Sequence, residues 1–283
     1  MGSNGLIFLA LLPGILIIIY IYRMDKVESE PWSLILKLVI FGMISCVPAV
    51  YMETFVDGIM PNYPEGSLPY ALSMAFVSAA LCEEICKYAL LKLGSWNNRS
   101  FGYRFDGIVY GVAVAVGFAV LENVLYVIQG GFYVALMRGV MAVPLHAFCG
   151  LFMGVFYGAA KKAQVDGQGS FKYKAAALIA PIMIHGIYDT LAFLGNTMAT
   201  IVLLVFVGIM YMISINVVKA YSKDDASSAF SPEGGVEQEE LRLSREMIVI
   251  SCPHCHGRLK VPMGMGRIRI RCPHCGSEFN EIT

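Results

Sequence analysis

The chain has 283 residues, of which 57% are hydrophobic and only 15% charged, with no net charge at neutral pH. Soluble domains carry about 25% charged residues, so a water-soluble globule is excluded. Residues 1–221 hold 13 Lys/Arg and 12 Asp/Glu, residues 222–246 hold 3 and 7, and residues 247–283 hold 5 and 2. Three regions are therefore expected: a near-neutral membrane body (1–221), a flexible acidic linker (222–246) and a small basic tail (247–283).

Apolar blocks lie near 5–22, 33–54, 68–92, 107–129, 132–160, 174–195 and 197–220. Each approaches the length that crosses a bilayer. They predict an all-α polytopic membrane protein with about seven transmembrane helices. The first block has no basic region ahead of it and no small-residue cleavage site, so it reads as a span and not a signal peptide. Lys and Arg occur in alternate loops: Arg23 and Lys26, then Lys92, Arg99 and Arg104, then Lys161, Lys162, Lys172 and Lys174. The loops near 57–67, 129–131 and 195–197 contain neither. By the positive-inside rule the N-terminus is expected outside and the tail in the cytoplasm.

Charged and polar residues interrupt these blocks: Glu83, Glu84 and Lys87 in the third, Glu122 and Asn123 in the fourth, His146 in the fifth, and His185 and Asp189 in the sixth. Such groups are costly in hydrocarbon and are most cheaply buried together around a wet cavity. Gly150, Gly154 and Gly158 continue the His146 series at four-residue spacing, which turns that face toward another helix. Each residue has a bland reading. Glu83 and Lys87 can form an intrahelical ion pair, His146 can be a packing histidine, Asp189 can orient His185, and Glu122–Asn123 can lock two helices together. Together they exceed what packing requires. Two close carboxylates, with imidazoles, supply the base, acid and oxyanion donors that hydrolysis of an amide needs.

The motifs "EEICK" at 83–87, "GFAVLENVLY" at 117–126, His146 and "HGIYD" at 185–189 resemble, in this order, the PrsW family of intramembrane proteases. That family is similar to CAAX prenyl endopeptidases and to bacteriocin-processing and immunity proteins. The resemblance spans roughly residues 5–221. It implies a prokaryotic plasma-membrane endopeptidase acting on membrane-anchored proteins such as anti-sigma factors. It further implies Glu83 as general base on water with Glu84 assisting, His146 holding that water, and His185 with Asp189 at the oxyanion. Lys87, Glu122 and Asn123 would support them. A metal-free site is expected in the membrane. Two rival readings come from other classes: a proton-coupled transporter, for which no inverted repeat is evident, and a silent scaffold that recruits partners through its tail.

After the last block, a stretch rich in Gly, Ser, Pro and acids reads as linker, with a short helix expected at 237–246. The tail then carries "CPHC" twice, placing Cys252, Cys255, Cys272 and Cys275 at C-x2-C-x16-C-x2-C. That spacing suits tetrahedral zinc in a small β zinc ribbon. "RIRIR" at 267–271 would set three arginines on one strand face. The bland reading is a solvated face, and the sharper one is an acidic partner or anionic lipid. Nucleic acid is disfavoured for so small a face.

Overall fold

A computed structural model describes residues 3–224, 229, 247–262 and 267–282. Most of the expected linker, including the helix expected at 237–246, lies outside these residues. The chain divides into two compact units, Met1–Phe230 and Ser231–Thr283.

The first unit is helical throughout. It comprises α1 (Ser3–Met24), α2 (Trp32–Ile59), α3 (Leu68–Leu72), a π-helical run (Ser73–Ala80), α4 (Leu81–Ser95), α5 (Arg104–Val140), α6 (Ala142–Val165), α7 (Phe171–Leu194) and α8 (Thr197–Asp224). All seven apolar blocks are thus helical. Among the described residues, five stretches are long and apolar enough to cross a membrane, not seven. The difference has two physical causes. The helix that ends in α4 carries Glu83, Glu84, Lys87 and Lys92, which lower its hydropathy. In addition, α5 and α6 count as one stretch of 62 residues.

Inside that long stretch the chain reverses at Gly131, whose φ of 70° and ψ of −155° are open to glycine but strained for other residues. The returning arm lies against the outgoing one. Gly107 and Gly111 face Gly150, Gly154 and Gly158 so closely that a Cβ on Gly107 would sit 2.6 Å from the Gly154 carbonyl oxygen. Small residues at four-residue spacing permit this approach in lipid. Every α5 residue from Phe105 to Val120 is buried, because α1, α2 and α6 surround it. A helix apolar on all sides is a core helix, and α5 is the axis on which the unit is built.

Pro144 has no N–H to offer the Val140 carbonyl one turn back. The helix breaks at Met141 (φ −114°), and the Tyr211 hydroxyl of α8 donates to that carbonyl at 3.0 Å.

At the end of the bundle where α5 begins, Asp106 accepts from the backbone N–H groups of Gly102 and Tyr103 at 2.8 and 2.7 Å, capping the helix. Tyr110 of α5 donates to Glu30 at 2.7 Å, which fastens the α1–α2 loop to α5. Burial pushes the Glu30 carboxyl up to about 8, and Asp25 and Glu28 add to the rise while Tyr110 opposes it.

The second unit contains two antiparallel hairpins, β1 (Met247–Ser251) with β2 (Arg258–Pro262) and β3 (Arg267–Arg271) with β4 (Glu278–Ile282). Cys252, Leu259, Val261 and Cys272 form its buried core, with Ile250, Ile270 and Phe279 packed against them. Arg269 pairs with Glu278 at 2.6 Å, both largely exposed, which favours the solvated reading of that strand face.

Two outcomes are expected from this packing. Gly154→Val places side-chain atoms against the Gly107 backbone, which cannot yield, and should cost about 3 kcal/mol or more. Gly208→Val, where nothing lies within 4 Å, should leave the detergent melting temperature unchanged. The second outcome concerns Glu30. Its folded-state carboxyl is raised, so its stabilising contribution is full below the ordinary carboxylate range and is lost as pH rises toward about 8. Glu30→Gln should match wild type in melting temperature near pH 5 and exceed it near pH 8.5.

Candidate active site

The residues singled out in the membrane blocks converge from four helices. Glu83, Glu84 and Lys87 come from the first turns of α4, Glu122 from α5, His146 from α6, and His185 with Asp189 from α7. The π-helical run ahead of α4 carries i→i−5 bonding, ending with the Leu81 N–H on the Phe76 carbonyl. Such runs are uncommon and often occur at functional sites. This one packs against α7, where the Phe76 ring fills the space beside Gly186, next to His185.

Lys87 is fully buried, and its ammonium organises the cluster. It donates to Glu83 Oε2 at 2.8 Å, to Glu84 Oε1 at 2.8 Å and to His146 Nδ1 at 3.1 Å. Three acceptors match its three protons. Its Nζ also lies 3.9 Å from the centroid of the Phe118 ring. Because His146 accepts on Nδ1, it bears its proton on Nε2, which donates to Glu122 Oε2 at 2.9 Å. Glu122 is also paired with Arg138 at 2.7 Å. His185 faces carboxylates on both sides, Glu84 Oε1 at 2.8 Å from Nδ1 and Asp189 Oδ2 at 3.2 Å from Nε2. Both ring nitrogens thus lie against a carboxyl oxygen, which fixes the plane of the ring. The two imidazoles meet edge to face, 5.3 Å between centroids.

This cluster closes the buried end of a cavity of about 580 Å³. Glu83 Oε2 is engaged by Lys87, whereas no hydrogen bond among the described residues occupies Oε1. Toward its exposed end the cavity is lined by Glu53 and Asp57 of α2, Tyr126 and Arg138 of α5, and Tyr188 of α7. Asn123 does not join the cluster. It donates to the Ala10 carbonyl of α1 at 2.9 Å and accepts from Arg138 at 3.1 Å, so it locks α5 to α1. Adjacent helical residues diverge by about 100°, which sends Glu122 into the cavity and Asn123 away from it. Arg138, Glu53 and Asp57 were not anticipated. An arginine inside the apolar block 132–160 was the available signal for the first.

Ligand atoms of Glu83, Glu84, His146 and His185 lie within 4.8 Å of one another, a donor set that a divalent cation can use. The present arrangement does not fit one. The Lys87 ammonium already bonds to Glu83, Glu84 and His146, and a dication among the same atoms would be strongly repelled by it.

The tail cysteines behave differently. Cys252 and Cys275 sulfurs are 3.8 Å apart and those of Cys255 and Cys272 are 3.7 Å apart. A tetrahedron with metal–sulfur bonds of about 2.3 Å has edges of about 3.8 Å, so four thiolates at these separations fit a bound metal. Both knuckles fold alike: the Cys252 and Cys272 N–H groups bond to Gly257 and Ser277 carbonyls at 2.9 Å. His256 occupies the left-handed position (φ 58°) that Gly276 takes in the second knuckle (φ 75°). His254, His256 and His274 are exposed.

A helical membrane unit with a polar catalytic-type cluster at the end of a cavity is the arrangement of an intramembrane hydrolase. The chain belongs to the PrsW family of intramembrane proteases: the family described as "PrsW family intramembrane metalloprotease" matches residues 30–216. The Protease PrsW of Geobacillus kaustophilus is 33% identical over 187 residues, covering 66% of this chain and 79% of that protein. That of Bacillus subtilis is 32% identical over 181 residues, 62% of this chain and 78% of its own. That of Clostridioides difficile is 27% identical over 222 residues, 76% of this chain and 91% of its own. No solved structure matches the chain. The family and its bacterial members make this a bacterial membrane protein and a protease, with a protein substrate.

Lys87→Met leaves two buried carboxylates without their cation. Removing one partner of a buried ion pair costs about 3–5 kcal/mol, so the detergent melting temperature should fall steeply. A melting temperature equal to wild type would show that Lys87 is not the counter-charge of this cluster.

Proposed function

We propose that this protein is a metal-free intramembrane endopeptidase that cleaves membrane-anchored proteins with water activated by Glu83. The observation that carries the reading is the convergence of two adjacent carboxylates, a buried ammonium and two imidazoles at the closed end of one cavity. Lys87 holds Glu83 by Oε2 and leaves Oε1 free to take a proton. As that proton leaves water, the oxygen attacks the scissile carbonyl carbon. His185 Nε2–H lies closest to release, since its bond to Asp189 is longer than its bond to Glu84. The developing oxyanion takes this donor over from Asp189. Glu84 holds His185 from behind, and Glu122 with Lys87 fixes the His146 ring beside the water. When the tetrahedral adduct collapses, the C–N bond breaks and the proton on Glu83 passes to the departing amine.

Seven crossings place the N-terminus outside and the tail in the cytoplasm, supported by the alternation of Lys and Arg among the loops. The exposed end of the cavity, near loops that lack both, then opens to the outside. The tail thiolates hold a structural zinc, which supplies folding energy to hairpins too small to fold alone. Membrane-anchored regulators such as anti-sigma factors are the substrate class that the family suggests.

Glu83→Gln keeps the shape and removes the base, so cleavage of a membrane-anchored reporter should drop at least about 100-fold. Folding, followed by detergent melting, should change little, and a wild-type rate would overturn the assignment. The metal question needs the tail silenced, because a chelator strips its zinc whatever the membrane site holds. Full-length protein with Cys252, Cys255, Cys272 and Cys275 all changed to Ser should contain no stoichiometric metal and cleave the reporter in the presence of a chelator. About one metal per chain in that variant, with activity lost on chelation and restored by zinc, would make the membrane site a metal centre instead.

A further inference from the structure

The exposed half of the cavity carries charge that the catalytic reading does not use. Glu53 and Asp57 lie one turn apart on α2 and both line it. Neither has an ion pair among the described residues, whereas the other carboxylates of the cavity do: Glu83 with Lys87, Glu122 with Arg138, and Asp189 with His185. Among the described residues Arg138 is the one Lys or Arg side chain lining the cavity, and it is already engaged by Glu122 at 2.7 Å and stacked 4.0 Å from the Tyr126 ring centroid. The neighbouring loops add no Lys or Arg. Glu53 is half-buried and Asp57 exposed near the end of α2, so the mouth of the cavity presents two carboxylates that no Lys or Arg among the described residues pairs with.

Ser78 is a second, independent sign of a ligand. It lines the same cavity, is only 3% exposed, and has no hydrogen bond among the described residues. Ser214 of α8 also lacks a partner among the described residues but lines no part of this cavity, and several other helix hydroxyls turn back onto their own backbone. Ser45, Ser73, Ser95, Thr54, Thr190 and Thr200 each donate to a carbonyl three or four residues earlier. Ser78 lies in the π-helical run, where bonding has shifted to i→i−5, and its hydroxyl is left for whatever enters the cavity. The run also brings Met74, Ser78 and Glu83 onto the one face that lines it.

We propose that Glu53, Asp57 and Ser78 form a subsite for a basic side chain of the substrate, a lysine or arginine at the outer edge of its membrane segment. This rests on the peptidase reading above and narrows it to one substrate class. The two carboxylates receive the cation and the Ser78 hydroxyl accepts one of its N–H groups, within the same cavity as Glu83. Membrane segments usually keep their basic residues on the cytoplasmic side. A subsite that demands one on the outer side therefore rejects most single-span proteins, and an acidic residue there would meet like charge.

The test is binding of fluorescent single-span peptides to full-length protein carrying Glu83→Gln, reconstituted in nanodiscs so that no turnover intervenes. Three peptides differ only at the outer flank of the apolar segment, with Lys, Gln or Glu. The Lys peptide should bind at least about tenfold more tightly than the Gln peptide, and the Glu peptide most weakly. Adding Glu53→Gln with Asp57→Asn should bring Lys and Gln within about twofold of each other. Asp57→Lys, at an exposed position that tolerates the change, should reverse the order in favour of Glu. Equal binding of the Lys and Gln peptides, or a preference that survives both variants, overturns the subsite. Cleavage is then read separately on the otherwise unaltered protein. Charge-selective binding without cleavage of the Lys peptide would sink the peptidase reading and leave the subsite standing. Cleavage without charge preference would do the reverse.

Discussion

The buried ammonium of Lys87 is the constraint from which the rest of the site follows. An isolated charge in the interior of a membrane protein is tolerated only when it is fully partnered, and each of its three protons has an acceptor on a different residue. Those partners dictate what the next shell must be. Accepting from Lys87 fixes the His146 tautomer, and that tautomer requires an acceptor, Glu122. Glu122 in turn draws in Arg138. On the other side Glu84 holds His185, which holds Asp189. A chain of alternating donors and acceptors thus runs through α4, α5, α6 and α7.

That chain works only if the helices carrying it are placed with little freedom. The placement is steric and lies in α5. Its glycines admit α6 to backbone contact, and Gly117 and Gly42 do the same for α2. Gly14 of α1 packs against the valines of α5. Tight apolar contact and polar bonding therefore divide the labour: the first sets helix separation along most of the bundle, and the second sets side-chain orientation at its reactive end.

Much of this was legible in the residues alone, for identifiable reasons. A charge within an apolar run is conspicuous whatever the tertiary structure, so Glu83, Glu84, Lys87, His146, His185 and Asp189 announce themselves, and the structure brings them together. Twin CPHC pairs are equally direct, because metal geometry fixes their spacing. What escaped depends on helix rotation. Asn123 follows Glu122 in sequence but faces α1 and not the cavity. Glu53 and Asp57 sit near the end of α2, where carboxylates ordinarily mean solvent. Ser78 acquires its environment from a π-helical run that no local propensity signals.

The interruption at Met141 has a mechanical consequence. A regular helix resists bending because each turn is closed by backbone bonds, but at Pro144 one of those bonds is missing from the outset. The stiffness lost there is restored from outside, by a single hydroxyl reaching across from α8. Met137, Arg138, Met141 and Ala142, which straddle this soft joint, also form part of the cavity wall. The compliance of the wall is thereby set by a helix that lines none of it, and α8 serves as its brace.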